Sequence, residues 1–355
     1  MTIQLLHGDC LEQLPPIPDD SVGLILTSPP YATQRKTTYG GIHADEYVAW
    51  FMLRAAEFKR VLKPDGTFIL NIKEHVINGE RHTYVMELVK AMREQGWLWT
   101  EEFIWHKRNA TPGKWPNRFR DTWEHLFQFN LQRKITMHQD EVMVPVGDWA
   151  KTRFKNLSDK EHKRQASATG SGYGRTLANC EGRTHVYPAN VLTPAFDPEQ
   201  ELAAVIQYQE DLVAHWVALE NYREQLAAGQ VPDEGAPGSN VLFLPTECGN
   251  KAHSAVFPEA LPRWFIRLFT SPGDIVLDPF MGSGTTGVSA LQLKRKFVGV
   301  EIDPTYMGDA RERLLEIPGI DEELDYVGPP RREEKVEEEK PEPDDVLDLL
   351  NEIPA

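Results

Sequence analysis

DPFMGSGTTG, residues 278–287, follows directly on the short apolar run Asp274–Asp278 (DIVLD) and opens the helical pattern Thr285–Lys294. Gly282, Gly284 and Gly287 satisfy G-x-G-x-x-G, and Glu301 stands 19 residues beyond Gly282 at the end of the next strand pattern, Lys296–Ile302. Glycines let a backbone approach a ligand, a helix N-terminus offers free amides, and an acid on the second strand can accept hydrogen bonds from ribose hydroxyls. The same glycines could serve only to pack a strand-to-helix turn, so position has to decide. A dinucleotide fold that begins at Asp274 needs roughly 100 further residues of strand–helix units. Beyond Ile302 the chain offers only one more short helix and, after Arg313, an acidic, proline-containing segment. The missing strands must therefore come from the beginning of the chain, in a permuted order.

The beginning supplies them. Ser21–Thr27 is an apolar run halted by two prolines, and Tyr47–Leu62 has helical spacing broken by Lys63-Pro64-Asp65-Gly66. Thr67–Ile72 reads as a strand, Tyr84–Gln95 as a helix and Trp99–Trp105 as a strand. Such alternation predicts an α/β fold, a mostly parallel sheet with helices on both faces. Residues 131–240 differ: Lys151–Arg175 holds seven basic and two acidic residues with little periodicity, Glu199–Ala228 reads as a long helix or hairpin, and Gly229–Gly238 as a linker. Leu261–Phe269 is amphipathic and helical.

Charge is distributed unevenly. The chain of 355 residues has a formal net charge of −16, of which Pro318–Ala355 contributes −10, whereas Trp105–Thr184 carries +7. A basic middle fits a nucleic-acid partner, and the acidic tail 318–355 is expected to be disordered. No apolar run approaches the ~18 residues of a membrane span, and MTIQLLHGDC lacks the features of a signal peptide. Three scattered cysteines (Cys10, Cys180, Cys248) argue against a disulfide framework or a zinc site. The expectation is a cytoplasmic protein of a prokaryotic cell or phage, with no metal and no membrane partner.

Thr27-Ser28-Pro29-Pro30-Tyr31 lies at the C-terminal end of its strand, the edge where open α/β sheets bind ligands. Two prolines restrict φ and aim the backbone carbonyls. A rigid carbonyl beside a hydroxyl, followed by an aromatic ring, suits a flat ligand bearing an amino group. Ser28 and the Pro29 carbonyl would accept its hydrogens while Tyr31 stacks on it. A strand terminated by Pro-Pro beside a half-buried tyrosine is the plainer alternative.

Taken together, these motifs resemble the DNA amino-methyltransferases, in the permuted (beta) group that places its catalytic loop before its S-adenosylmethionine loop. The likeness takes in His7-Gly8-Asp9-Cys10 on the first strand, TSPPY at 27–31, Gly66–Asn71 and Ile104-Trp105-His106-Lys107. It continues through Glu124-His125 on the strand Thr122–Phe129, His253–Pro258, DPFMGSGTT at 278–286 and VGVEID at 298–303. It implies a Rossmann-like methyltransferase core in two halves, 1–130 (catalytic) and 241–317 (cofactor-binding), split by a target-recognition insert at 131–240. Ser28, Pro29, Pro30 and Tyr31 would form the catalytic loop. Asp9, Cys10, Thr27, Phe257, Pro258, Asp278, Pro279, Phe280, Gly282, Ser283, Gly284 and Thr285 would bind S-adenosylmethionine. Glu301 would take the ribose hydroxyls, with Asp303 as a rival.

Ser at the first loop position goes mostly with the 4-amino group of cytosine and Asp mostly with the 6-amino group of adenine. The expected reaction is N4-cytosine methylation in duplex DNA, with N6-adenine methylation and a non-catalytic DNA-binding protein as alternatives. Methylation at carbon 5 needs a thiolate, typically after proline, and none of the three cysteines follows one. The target must leave the base stack to reach Ser28. Arg35, Lys36, Lys151, Arg153, Lys155, Lys163 and Arg164 would meet phosphates or the flipped base, and Arg175 or Arg183 base edges. A restriction endonuclease acting on the same site is an expected partner, and the protein a monomer or homodimer.

Overall fold

A computed structural model describes residues 3–33, 40–107, 121–145, 185–186, 191–192, 257–320 and 324–327. The elements in chain order are β1 (Ile3–His7), α1 (Cys10–Gln13), β2 (Val22–Thr27), α2 (Ala44–Val61) and β3 (Leu62–Ile72). Next come a small hairpin of β4 (Val76–Ile77) and β5 (Glu80–Arg81), α3 (Tyr84–Glu94), β6 (Leu98–His106), β7 (Trp123–Asn130), β8 (Val144–Pro145), β9 (His185–Val186) and β10 (Val191–Leu192). The last part comprises α4 (Ala260–Phe269), β11 (Ile275–Asp278), α5 (Thr285–Gln292), β12 (Lys296–Glu301), α6 (Pro304–Leu315) and β13 (Leu324–Val327).

Nine strands form one sheet in the order β10-β6-β7-β3-β2-β11-β12-β1-β13. The run from β3 to β13 is parallel, and β7 lies antiparallel to both β3 and β6. The permuted order is plain in this arrangement. β2 pairs with β11, setting Leu24 beside Val276 and Ile25 beside Leu277, and β1 is inserted between β12 and β13.

Because successive strand residues face opposite sides, the apolar strands feed two cores. Leu24, Leu26, Ile69, Val276 and Phe297 join one, under α4, α5 and α6. Ile25, Phe68, Leu70, Leu277 and Val298 join the other, under α1, α2 and α3. Strands this apolar on both faces are what a sheet covered on both sides requires. The helices are also locally consistent. α2 has Asp45 and Glu46 in its first turn and Lys59 and Arg60 in its last, matching the helix dipole.

Four expectations need correction. The helix does end ahead of Lys63–Gly66, but the next strand starts at Leu62 and not at Thr67, and the four residues are absorbed as a bulge between the Val22–Leu62 and Leu24–Thr67 pairs. The first strand ends at His7, and Asp9 turns the chain by capping α1 through the Leu11 N–H. Order does not stop at residue 317, since Ile320 is buried and Leu324–Val327 lies beside β1. Without β13, β1 would be an open sheet edge. Nor is 131–240 wholly apart from the core, because Val142 packs into it and β10 pairs with β6. The expected helix Glu199–Ala228 and linker Gly229–Gly238 lie outside the described residues. Among the described residues, no helix is long and apolar enough to cross a membrane, and no group of three His, Cys, Asp or Glu could hold a metal ion.

Candidate functional site

The site forms where β1, β2, β11 and β12 end together. Thr27, the last residue of β2, donates from Oγ1 to Asp278 Oδ1 at 2.6 Å. Asp278 ends β11 and also accepts from Thr286 Oγ1 (2.7 Å) and from the Phe280 N–H (3.2 Å). Its burial pushes the carboxyl up to about 6, against these three donors, and the nearby Glu301 charge acts in the same direction as burial. Asp278 thus fastens the Ser28 loop to the glycine loop.

The glycine loop is held from below by Glu301, 2% exposed. Its Oε2 accepts from the Gly282 N–H and its Oε1 from the Asp303 N–H, both at 2.8 Å. Gly282 (φ +56°) and Gly284 (φ +81°) occupy the left-handed region that side chains disfavour. Arg313 on α6 donates to the carbonyl and hydroxyl of Ser283 and to Thr285 Oγ1. Asp303 is the N-cap of α6, its Oδ1 accepting from the Thr305 and Tyr306 amides, and unlike Glu301 it does not line the cavity at this edge.

A cavity of about 310 Å³ opens at this edge. Asp9, Cys10, Pro279, Phe280 and Glu301 line it, together with Pro30 of the other loop. Thr27, Asp278, Gly282, Ser283, Gly284 and Thr285 do not; they make the frame behind it. Phe257 is buried in the core on the α4 side, with Pro258 beside it before that helix. Cys10 is 2% exposed, and burial pushes its thiol up to about 12, which leaves no nucleophile there.

Four cavity residues were not anticipated, Gly40, Ile42, Trp50 and Arg54, and the last two carry its chemistry. Arg54, 5% exposed, binds Asp9 Oδ2 at 2.5 Å and the Trp50 carbonyl at 3.0 Å. Its guanidinium lies 4.0 Å from the centre of the Trp50 ring, and its Nε is buried without a hydrogen-bond partner. The signal was present: an arginine within the apolar stretch AWFMLRAA of a helix needs a partner when buried.

On the other side of Ser28 lies a polar cluster. Ser28 is half-buried and donates from Oγ to the Tyr31 hydroxyl at 3.3 Å. Tyr31 in turn donates to Glu124 Oε2 at 2.7 Å, with Asn71 Oδ1 at 3.3 Å. Lys107 pairs with Glu124 Oε1 and sits over the Trp105 ring. Burial, and then the charge of Glu124, hold the Tyr31 hydroxyl well above its ordinary range. The sequence had marked Glu124-His125 only as part of a motif.

His125, next along β7, has Nδ1 2.6 Å from Glu102 and Nε2 2.7 Å from Glu74. A carboxylate at each nitrogen favours hydrogen on both, the imidazolium form. Burial alone would lower its pKa; the two carboxylates outweigh burial and raise it. Burial likewise works against Glu74, whose pKa is nevertheless lowered by the bond to His125. A raised imidazolium stabilises the fold fully below the ordinary value of ~6.5 and ceases to do so as pH rises through the elevated one. A lowered carboxyl adds stability above its ordinary value that is lost as pH falls through the depressed one. The thermal midpoint of the protein should therefore decline as pH rises above the ordinary imidazole value of ~6.5, and this decline should flatten in His125→Gln. An identical slope in the variant would remove His125 from that role.

Arg35, Lys36, Lys151, Arg153, Lys155, Lys163, Arg164, Arg175 and Arg183 all lie outside the described residues.

The chain is similar to known DNA methyltransferases. A family model described as DNA methylase (N6_N4_Mtase) matches residues 22–312. The type II methyltransferase M.PvuII of Proteus hauseri is 29% identical over 87% of this chain and 82% of its own. M.SfiI of Streptomyces fimbriatus is 27% identical over 86% of this chain and 89% of its own. Among solved structures, the PvuII DNA methyltransferase (cytosine-N4-specific) superposes with a TM-score of 0.54 at 25% identity, covering 90% of this chain and 88% of that one. TTHA0409 of Thermus thermophilus, complexed with S-adenosyl-L-methionine, shares the fold at a TM-score of 0.50 and 18% identity, over 93% of this chain and 99% of that one.

Proposed function

Because the chain belongs to the N6/N4 DNA methylase family, we propose that it methylates the 4-amino group of a cytosine flipped out of duplex DNA. The observation that carries this reading is the Thr27–Asp278 hydrogen bond, which binds the Ser28 loop to the glycine loop across one cleft. M.PvuII, whose solved structure is described as cytosine-N4-specific, supports cytosine, as does Ser at position 28.

The cavity fits S-adenosylmethionine. It offers the carboxylates of Asp9 and Glu301 to hydroxyl and amino donors, an apolar wall of Phe280 and Trp50 beside an adenine, and an Arg54 Nε without a partner. When bound, the cofactor supplies a methyl group activated on a sulfonium. The chain's own residues position the acceptor. An exocyclic amino nitrogen is a poor nucleophile because its lone pair is conjugated with the ring. Ser28 Oγ and the Pro29 carbonyl accept its two hydrogens, draw the nitrogen toward tetrahedral geometry and hold it in line with the methyl. Tyr31 stacks on the ring and replaces part of the stacking lost on flipping. Residues 131–240, with Arg35 and Lys36, supply the basic groups for phosphates and base edges. A partner endonuclease cutting the same sequence fits this reading.

Incubation with plasmid DNA and methyl-labelled S-adenosylmethionine, then hydrolysis to nucleosides, tests it. N4-methylcytosine is the expected product. N6-methyladenine would overturn the choice of base, and bound but unlabelled DNA would overturn the transfer itself.

A further inference from the structure

The hydrogen bonds beyond Ser28 run in one direction. Asn71 Nδ2 donates to the His125 carbonyl at 3.0 Å, which turns Asn71 Oδ1 toward Tyr31. Glu124 Oε2 faces the same hydroxyl. Two acceptors therefore confront Tyr31, so its single hydrogen points at them, toward Glu124 at the shorter distance. Its oxygen is left to accept from Ser28. The result is a donor chain that starts at the loop hydroxyl and ends on a carboxylate 4% exposed. Amino methylation produces a proton that has to leave: the nitrogen forms its bond to carbon while it still holds two hydrogens.

We propose that Glu124 takes up that proton through Tyr31 and Ser28. The inference rests on the amino-transfer reading above. The N–CH₃ bond forms as the S–CH₃ bond breaks, and sulfur keeps the bonding pair. One hydrogen of the now cationic nitrogen passes to Ser28 Oγ, the Ser28 hydrogen to the Tyr31 oxygen, and the Tyr31 hydrogen to Glu124 Oε2. Ser28 and Tyr31 end as neutral hydroxyls, the nitrogen as a neutral methylamino group and Glu124 as a carboxylic acid. Asn71 cannot replace Glu124, because an amide oxygen is far less basic than a carboxylate. The elevated Tyr31 pKa agrees with a hydroxyl that passes a proton on instead of ionising. Lys107, paired with the other Glu124 oxygen, orients the acceptor. Glu124 acts through its neighbours and is a positioning and relay residue.

The test is single-turnover transfer, in H₂O and in D₂O, to DNA that the wild-type enzyme methylates. Glu124→Gln keeps an acceptor for Tyr31 but no basic site, and Tyr31→Phe cuts the chain while keeping the ring. Each should slow transfer by roughly 10-fold to 100-fold, below the full range for acid–base catalysis because the base acts at a distance. Cofactor affinity should be unchanged and the wild-type solvent isotope effect abolished in both. The double variant should be no slower than the slower single one, because both break one chain. Tyr31→Ala, which also loses stacking, should be slower still. Wild-type rates or a retained isotope effect in Tyr31→Phe would overturn the relay even if Glu124→Gln did not fold, and so would multiplying losses in the double variant. Failure of the wild-type enzyme to yield a methylated amino group would instead overturn the functional reading.

Discussion

Ser28→Ala should reduce single-turnover methyl transfer by about 10²-fold or more, the effect of removing one preorganised polar contact worth about 3 kcal/mol. The hydroxyl has two tasks in this site. It accepts a hydrogen of the target nitrogen, and it hands its own to Tyr31. Alanine removes both at once, so the loss should equal or exceed that of Glu124→Gln. The substitution leaves the scaffold alone, since Pro29 and Pro30 still fix the backbone and Thr27 still binds Asp278. Cofactor affinity by calorimetry and the thermal midpoint should both match the wild type. Undiminished transfer by Ser28→Ala would refute the role of the loop hydroxyl.

The contrast between those two contacts, Ser28 to Tyr31 and Thr27 to Asp278, shows what a reader of the sequence can reach. The glycine loop was legible because a strand, a turn and a helix follow one another within Asp274–Lys294, and local periodicity reports such units. The permuted order was legible because the Thr27–Tyr31 loop precedes the glycine loop, each directly behind its own apolar strand. Strand direction was not, because a two-residue period reads the same both ways, and β7 proved antiparallel. β13 was hidden by its surroundings, four residues among acids whose average composition opposes order. The pairs that build the site were beyond reach as well. Asp9 meets Arg54 across 45 residues and Tyr31 meets Glu124 across 93, distances at which only the folded sheet decides who is adjacent. Motifs identified which residues matter, and topology then divided them. Asp278, Ser283 and Thr285 hold the frame, while Asp9, Phe280 and Glu301 face the cavity.

That division gives Glu301 and Asp303, two carboxylates two residues apart, opposite fates. Glu301→Ala removes one of the two carboxylates that line the cavity and leaves the Gly282 and Asp303 amides without their acceptor. Hydrogen bonds to a charged group are worth about 1.5–3 kcal/mol each, and an abandoned buried donor costs about 1–3 kcal/mol. Some of this is felt as lost stability. The part specific to the cofactor, its ribose hydroxyls and a glycine loop no longer held at the required φ, should weaken S-adenosylmethionine binding by about 100-fold or more. Asp303→Ala removes only the cap of α6 and should cost about 1 kcal/mol in stability. Its cofactor affinity should stay near the wild-type value. Calorimetric titration of both variants, with thermal midpoints measured in the absence of ligand, separates the two effects. Unchanged affinity in Glu301→Ala would take that residue out of the cofactor site, and a large loss confined to Asp303→Ala would transfer the ribose role to the helix cap.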